Sequence, residues 1–183
     1  MKVIFALGNP GSEYVKTRHN VGWRFLDAYA EKNGADFIPK TKFRADIAEC
    51  TVAEEKVLLV KPTTFYNDAG FCARALADFY KLSPEEFLII HDELALPLGT
   101  LRTRFGGSDA GNNGIKSINS HLGEGSARLR IGIFDADVPR DALASVLGKF
   151  TSDEEKVLND LTPQIFIVFD TFTSGNFETT TIK

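Results

Sequence analysis

Three histidines, His19, His91 and His121, are the side chains of this chain best suited to move a proton near neutral pH. His19 closes a loop at the start of a predicted helix, where a side chain can face an open cleft. His121 stands just before Gly123 at a predicted helix end, where a cation suits the helix dipole. His91 and Asp92 are neighbours at a predicted strand end, so alternation sends their side chains to opposite faces, a poor geometry for sharing one site. An imidazole base needs a carboxylate that fixes its tautomer and supports the imidazolium. Asp92 is either that carboxylate, reached by His19 from a distant part of the chain, or a strand-end cap, and residue type alone leaves both readings open. The His19–Asp92 pairing is the better arrangement, and its chemistry is activation of water.

Asn9, Asn67 and Asn113 each follow or open a turn, and any one of them alone reads as turn or cap chemistry. Gathered together they would offer amides able to donate to one carbonyl while accepting from one N–H. Gly106-Gly107-Ser108-Asp109-Ala110 approaches a serine nucleophile elbow but ends in alanine, and His121 is the one histidine downstream of it. Neither G-x-G-x-x-G nor a phosphate-binding P-loop is present, and Pro10 removes a backbone donor from the first loop. The histidines lack ligand spacing with one another, so no metal and no cofactor are expected.

The elements that must position these groups are legible as hydrophobic runs and stripes. Val3 to Leu7 is wholly apolar and predicts a strand covered on both faces, ended by Gly8-Asn9-Pro10-Gly11. Val21, Phe25 and Tyr29 predict a helix from near Asn20 to about Gly34. Two strands joined near Glu54-Glu55 are expected between Phe43 and Val60, closed by Pro62, and then a helix to Tyr80. Pro84 opens a short turn into a strand over Phe87–Ile90, with His91 and Asp92 at its end. A strand near Thr100–Phe105, a helix from about Asn113 to His121 and a strand over Leu129–Phe134 follow. Stripes at Leu143, Val146 and Leu147, and at Leu158, Leu161, Ile165 and Val168, predict two closing helices. Strands alternating with helices imply an α/β, three-layer αβα sandwich around a mixed, largely parallel sheet. With no repeat, linker or low-complexity stretch, a single domain over residues 1–183 is expected, its ligand site at the carboxyl ends of the strands.

Composition narrows the setting. The two cysteines, Cys50 and Cys72, form no ladder or C-x-x-C pair, which points to a reducing compartment. No N-terminal leader pattern occurs, and no apolar run approaches the roughly 20 residues that span a bilayer, so a cytoplasmic protein without a membrane partner is expected. The net charge of -4 argues against a nucleic-acid partner, but its distribution does not. Gly99 to Arg130 holds five basic side chains (Arg102, Arg104, Lys116, Arg128, Arg130) against two acidic ones, whereas Thr151 to Lys183 holds six acidic against two basic. A cationic zone on an acidic protein can dock a phosphate backbone.

Four blocks in order carry a resemblance to a known family: Gly8-Asn9-Pro10-Gly11 through Arg18-His19-Asn20; Lys61-Pro62-Thr63-Thr64-Phe65-Tyr66-Asn67; His91-Asp92-Glu93-Leu94-Ala95-Leu96-Pro97-Leu98-Gly99; and Gly111-Asn112-Asn113-Gly114-Ile115-Lys116. From Lys2 to about Gly148 the chain closely resembles bacterial-type peptidyl-tRNA hydrolases. The resemblance implies hydrolysis of the ester joining a peptide to the 3′-terminal ribose of tRNA. It assigns His19 as base, Asp92 as its orienting carboxylate and Asn9 to the peptide bond beside the ester. Asn67 and Asn113 would hold substrate near the base, with Tyr14 and Phe65 at the tRNA or peptide end of the cleft. Arg102, Arg104, Lys116 and Arg130 are candidates for acceptor-stem phosphates, and the protein is expected to act as a monomer. Relatives that bind RNA without this cleavage exist, but both His19 and Asp92 are retained here.

The match departs from the family in three places. Asn112 stands where a histidine is common, which keeps hydrogen bonding but not protonation. The stretch Phe134-Asp135-Ala136-Asp137-Val138-Pro139-Arg140 is more acidic than the family pattern, which would weaken tRNA affinity. The tail is short and matches loosely over Phe172 to Glu178.

Overall fold

A computed structural model of the chain, which describes residues 1–134 and 146–183, is built on one eight-stranded sheet of order β2-β3-β4-β1-β5-β7-β6-β8. The strands are β1 (Lys2–Ala6), β2 (Ile38–Lys40), β3 (Ala45–Val52), β4 (Glu55–Pro62), β5 (Phe87–Pro97), β6 (Leu101–Phe105), β7 (Ala127–Phe134) and β8 (Thr181–Ile182). The central run β4-β1-β5-β7 is parallel, and the flanking strands pair antiparallel. The parallel character expected from the sequence therefore holds in the centre of a mixed sheet. Helices α1 (Val21–Lys32), α2 (Ala69–Tyr80), α3 (Asn113–Leu122) and α4 (Ser152–Thr173) flank the sheet, with short 3-10 turns between elements.

Alternation along β1 divides the core. Ile4 and Ala6 pack with Phe25 and Tyr29 of α1 and Ile165 and Phe169 of α4, whereas Val3, Phe5 and Leu7 pack with Cys72 and Leu76 of α2 and Ile118 of α3. Both faces of the central strands are covered, which is why β1 and β4 read as unbroken apolar runs. Burial pushes the Cys72 thiol up to about 12, so it is an inert core residue.

Several boundaries differ from the sequence reading. Pro62 is the last residue of β4 rather than a stop beyond it, and β2 and β8 were not anticipated because two or three residues carry no usable period. The strand expected to end at Ile90 runs on to Pro97, with a register shift between Glu93 and Pro97. His91 and Asp92 therefore sit inside β5, held against Arg130 and Ile131 of β7. The first of the two expected closing helices falls largely on residues 135–145, outside the described residues, as do Asp135 and Asp137. Val146 and Leu147 are helical.

The two helices on one face of the sheet, α2 and α3, pack closely at Gly70, where an added Cβ would overlap the Ser117 carbonyl oxygen of α3. Gly70→Ala should lower unfolding free energy by about 1–3 kcal/mol, because backbone cannot move aside cheaply. A urea titration of the variant measures this.

Candidate active site

The carboxyl ends of β1 and β5 border an open cleft of about 540 Å³. Asn9, Tyr14, His19, Phe65, Asn67, Asp92 and Asn113 all line it, together with Tyr66, Glu93, Asn112 and the pair Val146 and Leu147. Five segments of the chain thus converge where ligands bind in open α/β sheets.

At its floor the His19 Nδ1 lies 3.0 Å from both carboxylate oxygens of Asp92. Asp92 is buried, and the His19 side chain is 16% exposed. A carboxylate can only accept, so Nδ1 carries the proton and Nε2 keeps its lone pair. Among the described residues no protein group hydrogen-bonds Nε2. A base in the correct tautomer, open to the cleft, is what water activation requires.

His19 sits in a 3-10 turn, Arg18–Asn20, that leads into α1. Both of its neighbours anchor it. Asn20 forms a two-way clamp on the backbone of Asn9, accepting from its N–H at 2.9 Å and donating to its carbonyl at 2.9 Å. The Asn9 carboxamide is fixed in turn, because its oxygen accepts from the Tyr66 N–H at 2.8 Å. Its NH₂ group is left to point at whatever enters the cleft.

Arg18 is buried, and its guanidinium meets the Glu154 carboxylate at 2.7 Å, the Ile133 carbonyl at 3.2 Å and the face of Phe150 at 4.7 Å. Glu154 also caps α4 by accepting from the Thr151 N–H. One buried ion pair therefore ties the turn that carries His19 to the end of β7 and the start of α4. The Arg18 N–H bonded to the Gly148 carbonyl and a bridge from Thr17 to Lys149 extend the seam.

On the far wall, Asn112 caps α3 by accepting from the Ile115 N–H at 3.0 Å, which places Asn113 at the helix's first position, exposed to the cleft. The preceding loop is stapled from beneath. Arg128, fully buried, donates to the carbonyls of Ser108 and Gly107 at 2.6 and 2.5 Å and to Asn119 Oδ1 at 2.8 Å. That guanidinium belongs to the basic zone of the sequence, but it shapes the wall rather than presenting charge. Ser108 is held there only through its backbone and does not line the cleft, so the elbow-like motif gains no support.

The other basic side chains lie outside the cleft. Period two puts Arg102 and Arg104 of β6 and Arg128 and Arg130 of β7 on the α2/α3 face of the sheet, with Arg102 opposite Arg130 and Arg104 opposite Arg128. Arg130 leans toward Glu93 at 3.7 Å, and Lys116 is exposed on α3. His91 is buried and kept neutral by that burial, donating from Nδ1 to the Asp92 carbonyl. His121 bonds the Ser117 carbonyl within α3, away from the cleft. Among the described residues no group of three His, Cys, Asp or Glu side chains is placed to hold a metal ion, and no helix is long and apolar enough to cross a membrane.

Tyr66, Asn20, Arg18 and Arg128 were not singled out by the sequence. Tyr66 lay inside a quoted block but gave only an aromatic signal, which ordinarily means core. Arg18 was visible as a charge beside the base, but its partner lies 136 residues away.

A profile of the family described as peptidyl-tRNA hydrolase matches residues 3–183. The chain is 43% identical over 159 residues to the peptidyl-tRNA hydrolase of Gloeobacter violaceus, covering 86% of this chain and 80% of that one. With the enzyme of the same name from Desulfitobacterium hafniense the identity is 44% over 162 residues, covering 88% and 86%. The crystal structure of peptidyl-tRNA hydrolase from Acinetobacter baumannii is similar with a TM-score of 0.89 at 34% identity, covering 96% of this chain and 89% of that one.

Removing one partner of a buried pair strands the other charge. Arg18→Met should therefore cost about 3–5 kcal/mol of stability, read from the denaturation midpoint and slope. A loss below about 1 kcal/mol would show that Glu154 finds water or another donor.

Proposed function

This chain belongs to the peptidyl-tRNA hydrolase family and is a hydrolase of ester bonds, and on that premise we propose that His19 is its general base, with Asp92 orienting it and Asn9 meeting the substrate. The observation that carries the reading is the His19 Nδ1 contact of 3.0 Å to a buried carboxylate, with the opposite ring nitrogen open to the cleft.

In this mechanism Nε2 takes a proton from water as its oxygen attacks the ester carbonyl joining the peptide to the 3′-terminal ribose. Asp92 supports the imidazolium that results. The Asn9 NH₂, aimed by the Tyr66 N–H on its oxygen, donates to a carbonyl of the peptide end. Collapse of the tetrahedral species breaks the bond to the ribose oxygen, which leaves as a hydroxyl with the imidazolium proton, and the peptide departs as a carboxylic acid. Asn67 and Asn113 hold the substrate near Nε2, and exposed Phe65 and half-buried Tyr14 offer aromatic faces to the terminal nucleotide or the peptide. A free aminoacyl ester lacks the amide that these carboxamides pair with, and an unpaired buried polar group costs about 1–3 kcal/mol.

Phosphates of the acceptor stem lie along Arg102, Arg104 and Arg130, with Lys116 at the edge of the same face. Like charges directly opposite each other across two strands repel, and an anion laid along them relieves that cost. The chain works as a single-domain monomer in the cytoplasm, without metal or cofactor.

His19→Ala should lower kcat by roughly 10²–10⁴-fold on N-acetyl-aminoacyl-tRNA, as loss of a general base requires. An unaltered rate displaces His19. Unblocked aminoacyl-tRNA, run in parallel, should be cleaved far more slowly by the unaltered protein. Arg104→Ala should raise KM and flatten its salt dependence by about one unit of log–log slope while sparing kcat.

A further inference from the structure

Tyr66 lines the cleft, and the proposed mechanism uses its backbone N–H but not its side chain. It is buried, and it touches four of the side chains that do matter. Its ring stacks on His19, with centroids 3.5 Å apart and planes 11° from parallel. Its hydroxyl lies 2.6 Å from Asp92 Oδ1 and 3.0 Å from Asn112 Nδ2. Its N–H holds Asn9. Gly114 admits this arrangement, because a Cβ there would overlap the Tyr66 ring.

The directions of these hydrogen bonds are determined. Asn112 has already committed its oxygen to the Ile115 N–H, so only its NH₂ can face the phenol oxygen. The phenol accepts there and must donate to Asp92, which has no proton to give. Burial, and then the charge of Asp92, push the Tyr66 hydroxyl well above its ordinary range, so it stays protonated and remains a donor. Asp92 is thus shared by two donors carried on stacked rings, His19 Nδ1 and Tyr66 Oη.

We propose that Tyr66 is a positioning residue of this enzyme, which holds the His19 ring by stacking and moderates its basicity by taking a share of the Asp92 carboxylate. The proposal rests on the reading of His19 as base. A hydroxyl that donates to a carboxylate disperses part of its negative charge, so the carboxylate binds the imidazolium less strongly and the imidazole is returned to its neutral, water-activating form more readily. Other charges near the pair are compensated or solvated. On β5, Glu93 faces Arg130 of β7, and His91 is kept neutral by burial. Arg18 beneath the His19 turn is paired with Glu154 of α4. Asp68 before α2 and Lys116 on α3 are exposed. The Tyr66 hydroxyl is therefore the contact whose removal His19 should register.

Tyr66→Phe deletes that hydroxyl and keeps the stacked ring. The acid limb of the kcat/KM–pH profile should move up by about 0.5–1 pH unit, so that on the acid side of the limb activity on N-acetyl-aminoacyl-tRNA should fall about 3–10-fold through kcat, with KM unchanged. The His19 ring-proton resonances, titrated without substrate, should show the same upward shift. Asn112→Ala, which leaves the phenol in place but removes its donor, should shift the titration in the same direction by less. An unmoved profile and an unmoved titration in Tyr66→Phe overturn the proposal, because a merely structural tyrosine would alter stability and neither of these. A shifted titration with His19→Ala fully active keeps the coupling and removes His19 from the base role. An unshifted titration with His19→Ala inactive does the reverse.

Discussion

A single buried carboxylate, Asp92, accepts hydrogen bonds from an imidazole and a phenol, and the arrangement of the whole cleft follows from the need to satisfy it. A charge removed from water is costly unless it is paired and hydrogen-bonded. Asp92 sits inside the central parallel strands, so its partners must be carried to it by other segments. The turn after β1 brings His19, and the turn before α2 brings Tyr66. The cap of α3 then brings Asn112 to Tyr66, and the Tyr66 backbone aims Asn9. Each contact fixes a group that the next one needs.

Arginine serves two purposes in this fold. Arg18 and Arg128 are buried and spend their guanidiniums on carbonyls, a carboxylate and an amide of the protein itself, stapling the two loops that form opposite walls of the cleft. Five donors in a rigid plane suit that task better than a lysine ammonium would. Arg102 and Arg104 are half-exposed on one face of β6, whereas Arg130 beside them on β7 is turned toward Glu93. On an acidic protein these side chains gather positive charge on one sheet face without basic composition.

Much of this was legible beforehand. Unbroken apolar runs located β1 and β4 because strands covered on both faces need no polar alternation. Stripes at helical spacing located α1 and the second closing helix. The pairing of His19 with Asp92 was one of two readings left open by where each stood, and the family resemblance favoured it. Tyr66 was not legible, because an aromatic residue that organises a site and one that fills a core look alike in sequence. The length of β5 was missed for a related reason: His91 and Asp92 broke its apolar run, although backbone pairing with β7 continues past them.

By itself the sequence determined the layer architecture, the family, and which residue types were available for chemistry, since hydrophobic period and ordered motifs are local properties of a chain. Only the tertiary structure decided which of those residues meet. Whether an arginine is a staple or a charge for solvent, and whether a tyrosine donates to a carboxylate, depends on partners tens of residues away. Burial then decides the protonation state in which such partners remain.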